Sequence, residues 1–287
     1  MPASLSLSAP LRIAVLGGGR IGSAFAFYLV RKGQHEVTVI ARPGSVRLEQ
    51  LRHEGGVVTT DGDRAPAMIT DRLDESLPYD LVIVAVKDYQ IRKLLPALRR
   101  SAAKSVQFMF MTFTPEYLQE AVGPDRAVLG MPFLQSDLDA RGRIRVSVGS
   151  SSRQTLTGDP RWADIFRATG LPARHEARMA LWLRCHVPLG VAFESIAVAG
   201  IQRGEGAPWR RARVLARGLQ ACFALIRSQG YEIYPVGKAR LEKLPVFVVA
   251  CMLWSLSHIR SFRVLLATGE AECCALVDAM LAAPVPP

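Results

Sequence analysis

The sequence predicts an α/β fold in which an N-terminal doubly wound parallel sheet is followed by an all-helical region. Short, continuously apolar runs alternate with helical patterns up to residue 125, and this alternation is typical of parallel strands joined by crossover helices. From Pro160 onward the apolar spacing is helical, and no alternation of strands is apparent. We therefore predict one domain over residues 1–173 and a helical domain over residues 174–287.

The elements of the first half follow from local patterns. Four strands are predicted, at residues 11–17, 35–42, 80–87 and 104–113. A helix over residues 23–33 follows the turn GGRIG, and the helix in YQIRKLLPALRR is bent or broken by Pro96. Further strands are expected in RAVLGMPF and RIRVSVGS, and SSRQTLTGDP is predicted to be a polar loop.

The second half is predicted to contain only helices. The segments with helical spacing are DPRWADIFRATG, residues 179–195, WRRARVLARGLQACFALIRSQG, KLPVFVVACMLWSLSHIRSF and EAECCALVDAMLAA. Pro188 lies inside the second of these, where it removes one backbone hydrogen bond and is expected to kink the helix.

Composition favours a globular cytoplasmic protein. Apolar residues make up 49% of the 287 residues, and no uninterrupted apolar run reaches the roughly 20 residues that a bilayer requires. The segment MPASLSLSAP lacks the basic and apolar regions of a signal peptide. The five cysteines are odd in number and show no C-x-x-C spacing, so we expect free thiols and no metal site.

The formal net charge of +11 raises the possibility of a nucleic-acid partner. However, the arginines are spread along the chain, and the densest run lacks the interleaved aromatic residues of single-strand binders. A site for a small anion, together with solvated helix faces, explains the charge more simply. We therefore expect neither a nucleic-acid partner nor a membrane partner.

A G-x-G-x-x-G motif, formed by Gly17, Gly19 and Gly22, follows the first strand directly and opens a helix. The first glycine allows a tight turn, the second lets a pyrophosphate approach, and the third lets helix and strand pack closely. Backbone N–H groups at the helix start, including those of Arg20 and Ile21, would face the phosphates. This context predicts a Rossmann-like dinucleotide-binding domain, with a plain strand-to-helix turn as the alternative.

The end of the second strand indicates which dinucleotide is bound. An NAD-binding domain usually has a carboxylate there, whereas this chain has Arg42, with Arg47 downstream. A guanidinium can bind a 2′-phosphate, so NADPH is favoured; a solvated strand-end charge is the alternative. Lys87 and Gln90 follow the third strand and are candidates for contact with cofactor or substrate, although ordinary surface placement fits the spacing equally well.

With these features the chain resembles the ketopantoate reductase (2-dehydropantoate 2-reductase) family, whose members share the glycine motif, an Arg after the second strand, V-K-x-x-Q after the third, and a helical C-terminal domain. The resemblance implies reduction of a 2-oxo acid to a 2-hydroxy acid by NADPH in pantothenate biosynthesis, with the substrate between the two domains. Apolar C-terminal helices make a homodimer reasonable.

The family's catalytic helix reads W-x-K-L-x-x-N-x-x-x-N, and this chain departs from it. By resemblance Trp182 matches the tryptophan, but Arg184 replaces the lysine, and Pro188 and Ala192 replace the asparagines. The family's Q-N-G segment corresponds to Met111–Phe113, which makes Thr112 a cofactor-binding candidate. Loose counterparts of the family's substrate-binding Ser and Glu are Ser261 and Glu272, and Glu272 is also a candidate catalytic residue.

Because of these changes, other residues must take the roles of the family's lysine and asparagines. Arg184 is a poor general acid because guanidinium groups hold their proton tightly, but it can hold a substrate carboxylate or stabilise an alkoxide. His186 has an ordinary pKa of about 6.5 and is the candidate proton donor, with Glu194 on the same helical stripe orienting it or binding substrate. The alternative is a structural histidine. We expect Cys185 to be a small buried hydrophobe rather than a nucleophile.

The leading interpretation is an NADPH-dependent reductase of a small carbonyl substrate, with Lys87, Arg184, His186 and Glu272 as its candidate catalytic residues. A rival enzymatic interpretation is an imine reductase in a specialised pathway. A rival from another class is a catalytically silent NADP-binding regulatory or assembly protein.

Overall fold

The computed structural model describes residues 9–148, 153–266 and 270–283. The chain divides into two compact units. The first unit comprises the residues up to Phe110 together with Tyr117–Met179, and the second comprises Met111–Glu116 and the residues from Ala180 onward.

The first unit contains all twelve described strands and six helices. Four of the helices have seven to twelve residues, and the other two are shorter. Its strands are β1 (Arg12–Leu16), β2 (Glu36–Ile40), β3 (Gly56–Val58), β4 (Arg64–Pro66), β5 (Met68–Thr70), β6 (Leu81–Val84), β7 (Val106–Met109), β8 (Ala127–Met131), β9 (Gln135–Leu138), β10 (Ile144–Ser147), β11 (Thr155–Thr157) and β12 (Ala173–His175). Its helices are α1 (Arg20–Arg31), α2 (Val46–Glu54), α3 (Asp88–Ile91), α4 (Leu95–Arg100), α5 (Glu116–Val122, its first residue in the second unit) and α6 (Pro160–Ala168). The boundary predicted at residues 173 and 174 lies inside β12, whereas the unit continues to Met179.

Eight of these strands form one sheet in the order β12-β11-β8-β7-β6-β1-β2-β5. All neighbouring strands are parallel except β8 and β11, which are antiparallel. The central strand β1 pairs with β2 on one side and with β6 on the other, so Val15 lies opposite both Val39 and Ile83. Strands β6 and β7 are buried along their whole length, which explains their continuously apolar sequences. The predicted doubly wound α/β class is confirmed.

Several short elements differ from the predictions. Helix α2 and strands β3 to β5 were not predicted, and β11 occupies part of the segment predicted as a polar loop. Strand β12 is also unexpected, because only helices were predicted beyond Pro160. The four short strands β3, β4, β5 and β12, like β11, have three residues each, too few for a period to emerge from the sequence. The strand predicted in RIRVSVGS pairs as β10 with β9 in a separate hairpin, and its last two residues lie outside the described part.

Helices α1 and α6 contribute to the core of the first unit. Phe25 of α1 and Phe166 of α6 are fully buried with ring centroids 5.2 Å apart. The indole Nε1–H of buried Trp162 donates to Ser105 Oγ at 3.1 Å, which satisfies its polar atom. The helix predicted around Pro96 is broken, as expected: α3 ends at Ile91, and Pro96 is the second residue of α4.

The described part of the second unit is helical, as predicted. Its helices are α7 (Met179–Arg203, whose first residue belongs to the first unit), α8 (Trp209–Ser228), α9 (Val236–Glu242), α10 (Val246–His258), α11 (Arg260–Leu266) and α12 (Glu270–Leu281). The short helix α9 was not predicted. Helix α7 continues through Pro188 for 25 residues.

Helix α7 is long and apolar enough to cross a membrane by length and composition. However, 56% of its most apolar window is buried inside the protein, as in the core helix of a soluble protein. It is therefore weak evidence for a membrane span.

Candidate functional site

The turn after β1 has a backbone that only glycine can adopt. Gly17 has φ of +110°, and a Cβ placed on it would lie 2.5 Å from the carbonyl oxygen of Ala85. Its N–H donates to the Ile40 carbonyl at 2.9 Å, which ties the turn to the end of β2. Any side chain at this position would separate β1 from the segment after β6.

The other two glycines of the motif have contrasting surroundings. A Cβ on Gly22 would collide with the Gly17 carbonyl, so this position allows α1 to pack closely on the turn. A Cβ on Gly19 would meet nothing within 4 Å, so the backbone before α1 borders open space. Helix α1 begins at Arg20, and the N–H groups of its first turn have no intrahelical acceptor. This arrangement suits a phosphate group.

The turn lies at the switch point of the sheet, because β1 connects to β2 on one side while β6 follows on the other. Lys87 comes two residues after Ala85, and its backbone N–H donates to Gln90 Oε1 at 3.2 Å, capping α3. Lys87 thus follows β6, and its contact with cofactor or substrate stays a prediction. The Gln90 side chain has a local capping role in this structure, and its contact with cofactor or substrate stays a prediction.

Arg42 is exposed two residues after β2. Its carbonyl accepts hydrogen bonds from the Oγ and N–H of Ser45, the N-cap of α2, at 2.6 and 3.1 Å. Among residues 9–148, 153–266 and 270–283, its guanidinium makes no hydrogen bond or salt bridge. The side chain is thus available to an anionic ligand at this end of the sheet.

Arg47 lies beneath the glycine turn, a role that the sequence did not reveal. Its Nε–H donates to the Gly18 carbonyl at 2.6 Å, and its Nη2 donates to Ser23 Oγ at 2.8 Å. Its Nη1 donates to the Gly142 carbonyl at 2.5 Å, in the turn between β9 and β10. Burial lowers the pKa of Arg47 to about 10, which leaves it protonated at neutral pH. Arg47 therefore connects the turn, α1 and the hairpin.

The remaining cofactor candidates are less distinctive. Arg20 forms an exposed ion pair with Asp137 of β9 at 3.7 Å, which contributes little to stability. Ile21 packs partly buried against the core of the first unit. Thr112 belongs to the second unit and is buried, and its Oγ1 has no hydrogen-bond partner among the described residues.

In the second unit Arg184 is the centre of a compact cluster. Its side chain is only 5% exposed, and its Nη2 lies 2.7 Å from both carboxylate oxygens of Glu116. The guanidinium lies 4.0 Å from the ring centroid of Tyr231 and 6.0 Å from that of Phe113. Its buried Nε has no hydrogen-bond acceptor in the part of the chain that the structure describes. We call Arg184, Glu116, Tyr231 and Phe113 the Arg184 cluster.

The expectation that His186 has a pKa near neutrality is wrong. Burial, and to a lesser degree the charge of Lys238, lowers the pKa of His186 to about 3. Its ring stacks on Trp182 at 4.4 Å between centroids, and Lys238 Nζ lies 3.9 Å from the Trp182 centroid. The imidazole is neutral at neutral pH, and a group with this pKa is a poor proton donor there.

Other candidates in the second unit are dispersed. Glu194 is buried on α7 and accepts a hydrogen bond from Cys273 Sγ at 3.5 Å, so it contacts α12. Burial and the Glu194 charge raise the pKa of Cys273 to about 12, so its thiol stays protonated. Ser261 is exposed on α11 and Glu272 is partly buried on α12, and their roles stay predictions.

All five cysteines are free thiols, and Cys185 is fully buried, with its Sγ contacting the backbone of Glu232 and Tyr234. Within the described ranges, no group of three or more His, Cys, Asp or Glu could hold a metal ion.

The cluster partners Phe113, Glu116 and Tyr231 were not predicted, because they are far from Arg184 in sequence. The residue pattern carries no signal for them.

The doubly wound sheet, the glycine turn at its switch point and the helical second unit define a dehydrogenase-like, dinucleotide-binding class of protein. The sequence profile described as "Ketopantoate reductase PanE/ApbA" matches residues 13–158. The chain belongs to this ketopantoate reductase family, which confirms the resemblance.

Individual relatives are distant. The 2-dehydropantoate 2-reductase of Aquifex aeolicus (strain VF5) is 25% identical over 206 residues, which are 64% of this chain and 64% of that enzyme. The match thus spans just under two thirds of that relative's length.

Solved structures share the fold. A PanE/ApbA family ketopantoate reductase from Ralstonia eutropha JMP134 has a TM-score of 0.65 at 20% identity, covering 96% of this chain and 93% of that one. A D-mandelate dehydrogenase in complex with NADH has a TM-score of 0.63 at 15% identity, covering 95% and 98%.

Proposed function

We propose that this protein is a cytoplasmic, NADPH-dependent reductase of a small 2-oxo acid. One observation carries the proposal. Gly19 borders open space at the start of α1, whereas a Cβ on Gly17 or on Gly22 would collide with backbone atoms. This is the arrangement that a pyrophosphate requires at the switch point of a doubly wound sheet. Family membership and the NADH complex of the mandelate dehydrogenase support a nicotinamide cofactor.

The preference for NADPH rests on Arg42. It lies exposed just beyond β2, and the residues from Ala41 to Ser45 offer no carboxylate to a ribose hydroxyl. A guanidinium binds a 2′-phosphate through charge-assisted hydrogen bonds, whereas it gains little from a 2′-hydroxyl. We therefore assign Arg42 to the 2′-phosphate, and Gly19, Arg20 and Ile21 to the pyrophosphate through their backbone N–H groups.

The substrate class rests on Arg184. A buried guanidinium near two aromatic rings suits the carboxylate of a 2-oxo acid. The bound nicotinamide would supply the hydride. Because the pKa of His186 is about 3 and guanidinium groups are poor proton donors, we assign proton delivery to solvent water rather than to His186 or Arg184.

Substrate-dependent oxidation of NADPH tests this proposal. A panel of 2-oxo acids that includes ketopantoate and phenylglyoxylate, with matched ketones and imines, should show turnover only with compounds that carry a carboxylate. Faster turnover of an imine or of a neutral ketone would contradict the assigned substrate class.

The rival function, a catalytically silent NADPH-binding protein, is favoured by the low pKa of His186 and by the engagement of Arg184 with Glu116. Tight NADPH binding without oxidation by any member of the panel would support this rival over the reductase.

A further inference from the structure

We propose that Glu116 occupies the carboxylate subsite of Arg184 in the ligand-free protein, and that a ligand carboxylate displaces it. Glu116 would thereby set the affinity of the site for carboxylates. This inference rests on the substrate class proposed above for Arg184. It adds competition between Glu116 and the ligand carboxylate for Arg184, which the proposed function does not require.

The two members of the ion pair have very different exposures. The Arg184 side chain is 5% exposed, whereas the Glu116 side chain is 44% exposed. A carboxylate that is half exposed is readily solvated when it leaves, because its desolvation is incomplete in the paired state. Water cannot solvate a buried guanidinium in this way, and leaving it without an anionic partner is strongly unfavourable. Arg184 therefore stays in place, and its partner is the exchangeable member.

The contact geometry leaves hydrogen-bonding capacity unused. Both carboxylate oxygens of Glu116 lie 2.7 Å from the single atom Nη2 of Arg184. Nε is buried and has no acceptor among the described residues. A ligand carboxylate that binds bidentately, to Nε and Nη2 together, would make better use of the guanidinium donors than Glu116 does.

The aromatic walls keep the guanidinium in position during such an exchange. Tyr231 lies 4.0 Å from it by ring centroid, and Phe113, on the same segment as Glu116, lies at 6.0 Å. Cation–π contacts of this kind do not depend on which carboxylate is bound. The arrangement thus separates a fixed cation from an exchangeable anion.

The test compares 2-oxoisovalerate with 3-methylbutan-2-one, which has the same carbon skeleton without the carboxylate. Affinities are measured by calorimetry for the wild-type protein and for E116Q, with and without saturating NADP⁺. We expect E116Q to bind 2-oxoisovalerate about tenfold more tightly, with no change for the ketone. The gain should disappear in the double variant E116Q/R184M.

A matched control is E242Q, which removes the carboxylate of the Arg227 ion pair on the surface of the same unit. It should leave both affinities unchanged. If E116Q does not fold, E116D provides the same comparison, because its shorter side chain weakens the pair while the charge is retained; a gain in the same direction is expected.

Unchanged or weaker binding of the oxo acid by the folded variant would overturn the inference. An equal gain for the ketone would also overturn it, because the effect would then be steric. The outcome is independent of turnover: if wild-type protein fails to bind NADPH, the proposed reductase fails, while the cofactor-free titrations still decide the role of Glu116.

Discussion

The glycine turn of the first unit and the Arg184 cluster of the second unit are built in different ways. The turn consists of backbone from six consecutive residues, and its shape is enforced by positions where a Cβ would collide. The cluster consists of side chains from three separate segments, held by an ion pair and two aromatic rings. The contrast shows that a site built from consecutive backbone can be recognised as a short sequence motif, whereas a cluster built from distant side chains cannot.

The largest effect is expected at Gly19, where the structure has room for a side chain but the proposed pyrophosphate does not. G19A should fold normally and weaken NADPH binding about 100-fold, because its methyl group would keep the phosphates from the backbone. Fluorescence titration of NADPH and thermal unfolding measure the two quantities. The control G218A, also in open space but on α8, should leave NADPH affinity unchanged. Normal binding by G19A would place the cofactor elsewhere.

The next largest effect is expected at Arg42. Its side chain is proposed to bind the 2′-phosphate, whereas the backbone of the turn is proposed to bind the pyrophosphate. R42A should lower NADPH affinity about 10- to 100-fold and leave NADH affinity nearly constant, as expected from the loss of charge-assisted hydrogen bonds. Competitive titration of the two cofactors measures this. R72A removes an exposed arginine elsewhere in the same unit and serves as the control. Equal losses for NADPH and NADH would argue against a 2′-phosphate contact.

A smaller effect is expected at Arg47, which positions the turn without facing the ligand. R47M removes the hydrogen bonds to Gly18, Ser23 and Gly142 and should weaken NADPH about tenfold. Binding of 2′-AMP, which lacks the pyrophosphate, should change little. Comparable losses for both ligands would indicate general destabilisation rather than misplacement of the turn.

The last prediction concerns stability rather than cofactor binding, and it lies in the second unit. Because the pKa of His186 is about 3 in the folded protein and about 6.5 when unfolded, the unfolded state binds more protons in between. Stability should therefore fall as pH drops from 6.5 towards 3. Urea unfolding across this range should show a shallower fall for H186Q than for wild type. Exposed His53, changed to Gln, is the control.

Much of the fold is predictable from sequence, because its central strands are apolar and flanked by turns. β1, β2, β6 and β7 all lie inside predicted strands, and the glycine spacing identified the turn before α1. The three-residue strands β11 and β12 were missed because their pairing depends on the neighbouring sheet rather than on a local pattern. Helix α1 also begins at Arg20, inside the predicted turn.

The candidate site was less predictable. The pKa of His186 depends on burial and on Lys238, more than fifty residues away, so its ordinary value was a poor guide. In the sequence Arg47 is only a positive charge downstream of β2, and its hydrogen bonds to the turn follow from the tertiary arrangement. Likewise, Glu116 is one carboxylate among many until its distance to Arg184 is known.

Calorimetric titration of the wild-type protein with NADPH and NADH tests the central claim most directly, because the proposed reductase function depends on dinucleotide binding at the glycine turn. The account predicts that NADPH binds at least about tenfold more tightly than NADH, the difference that one charge-assisted contact supplies. Failure of both cofactors to bind at millimolar concentration, or a preference for NADH, would contradict it.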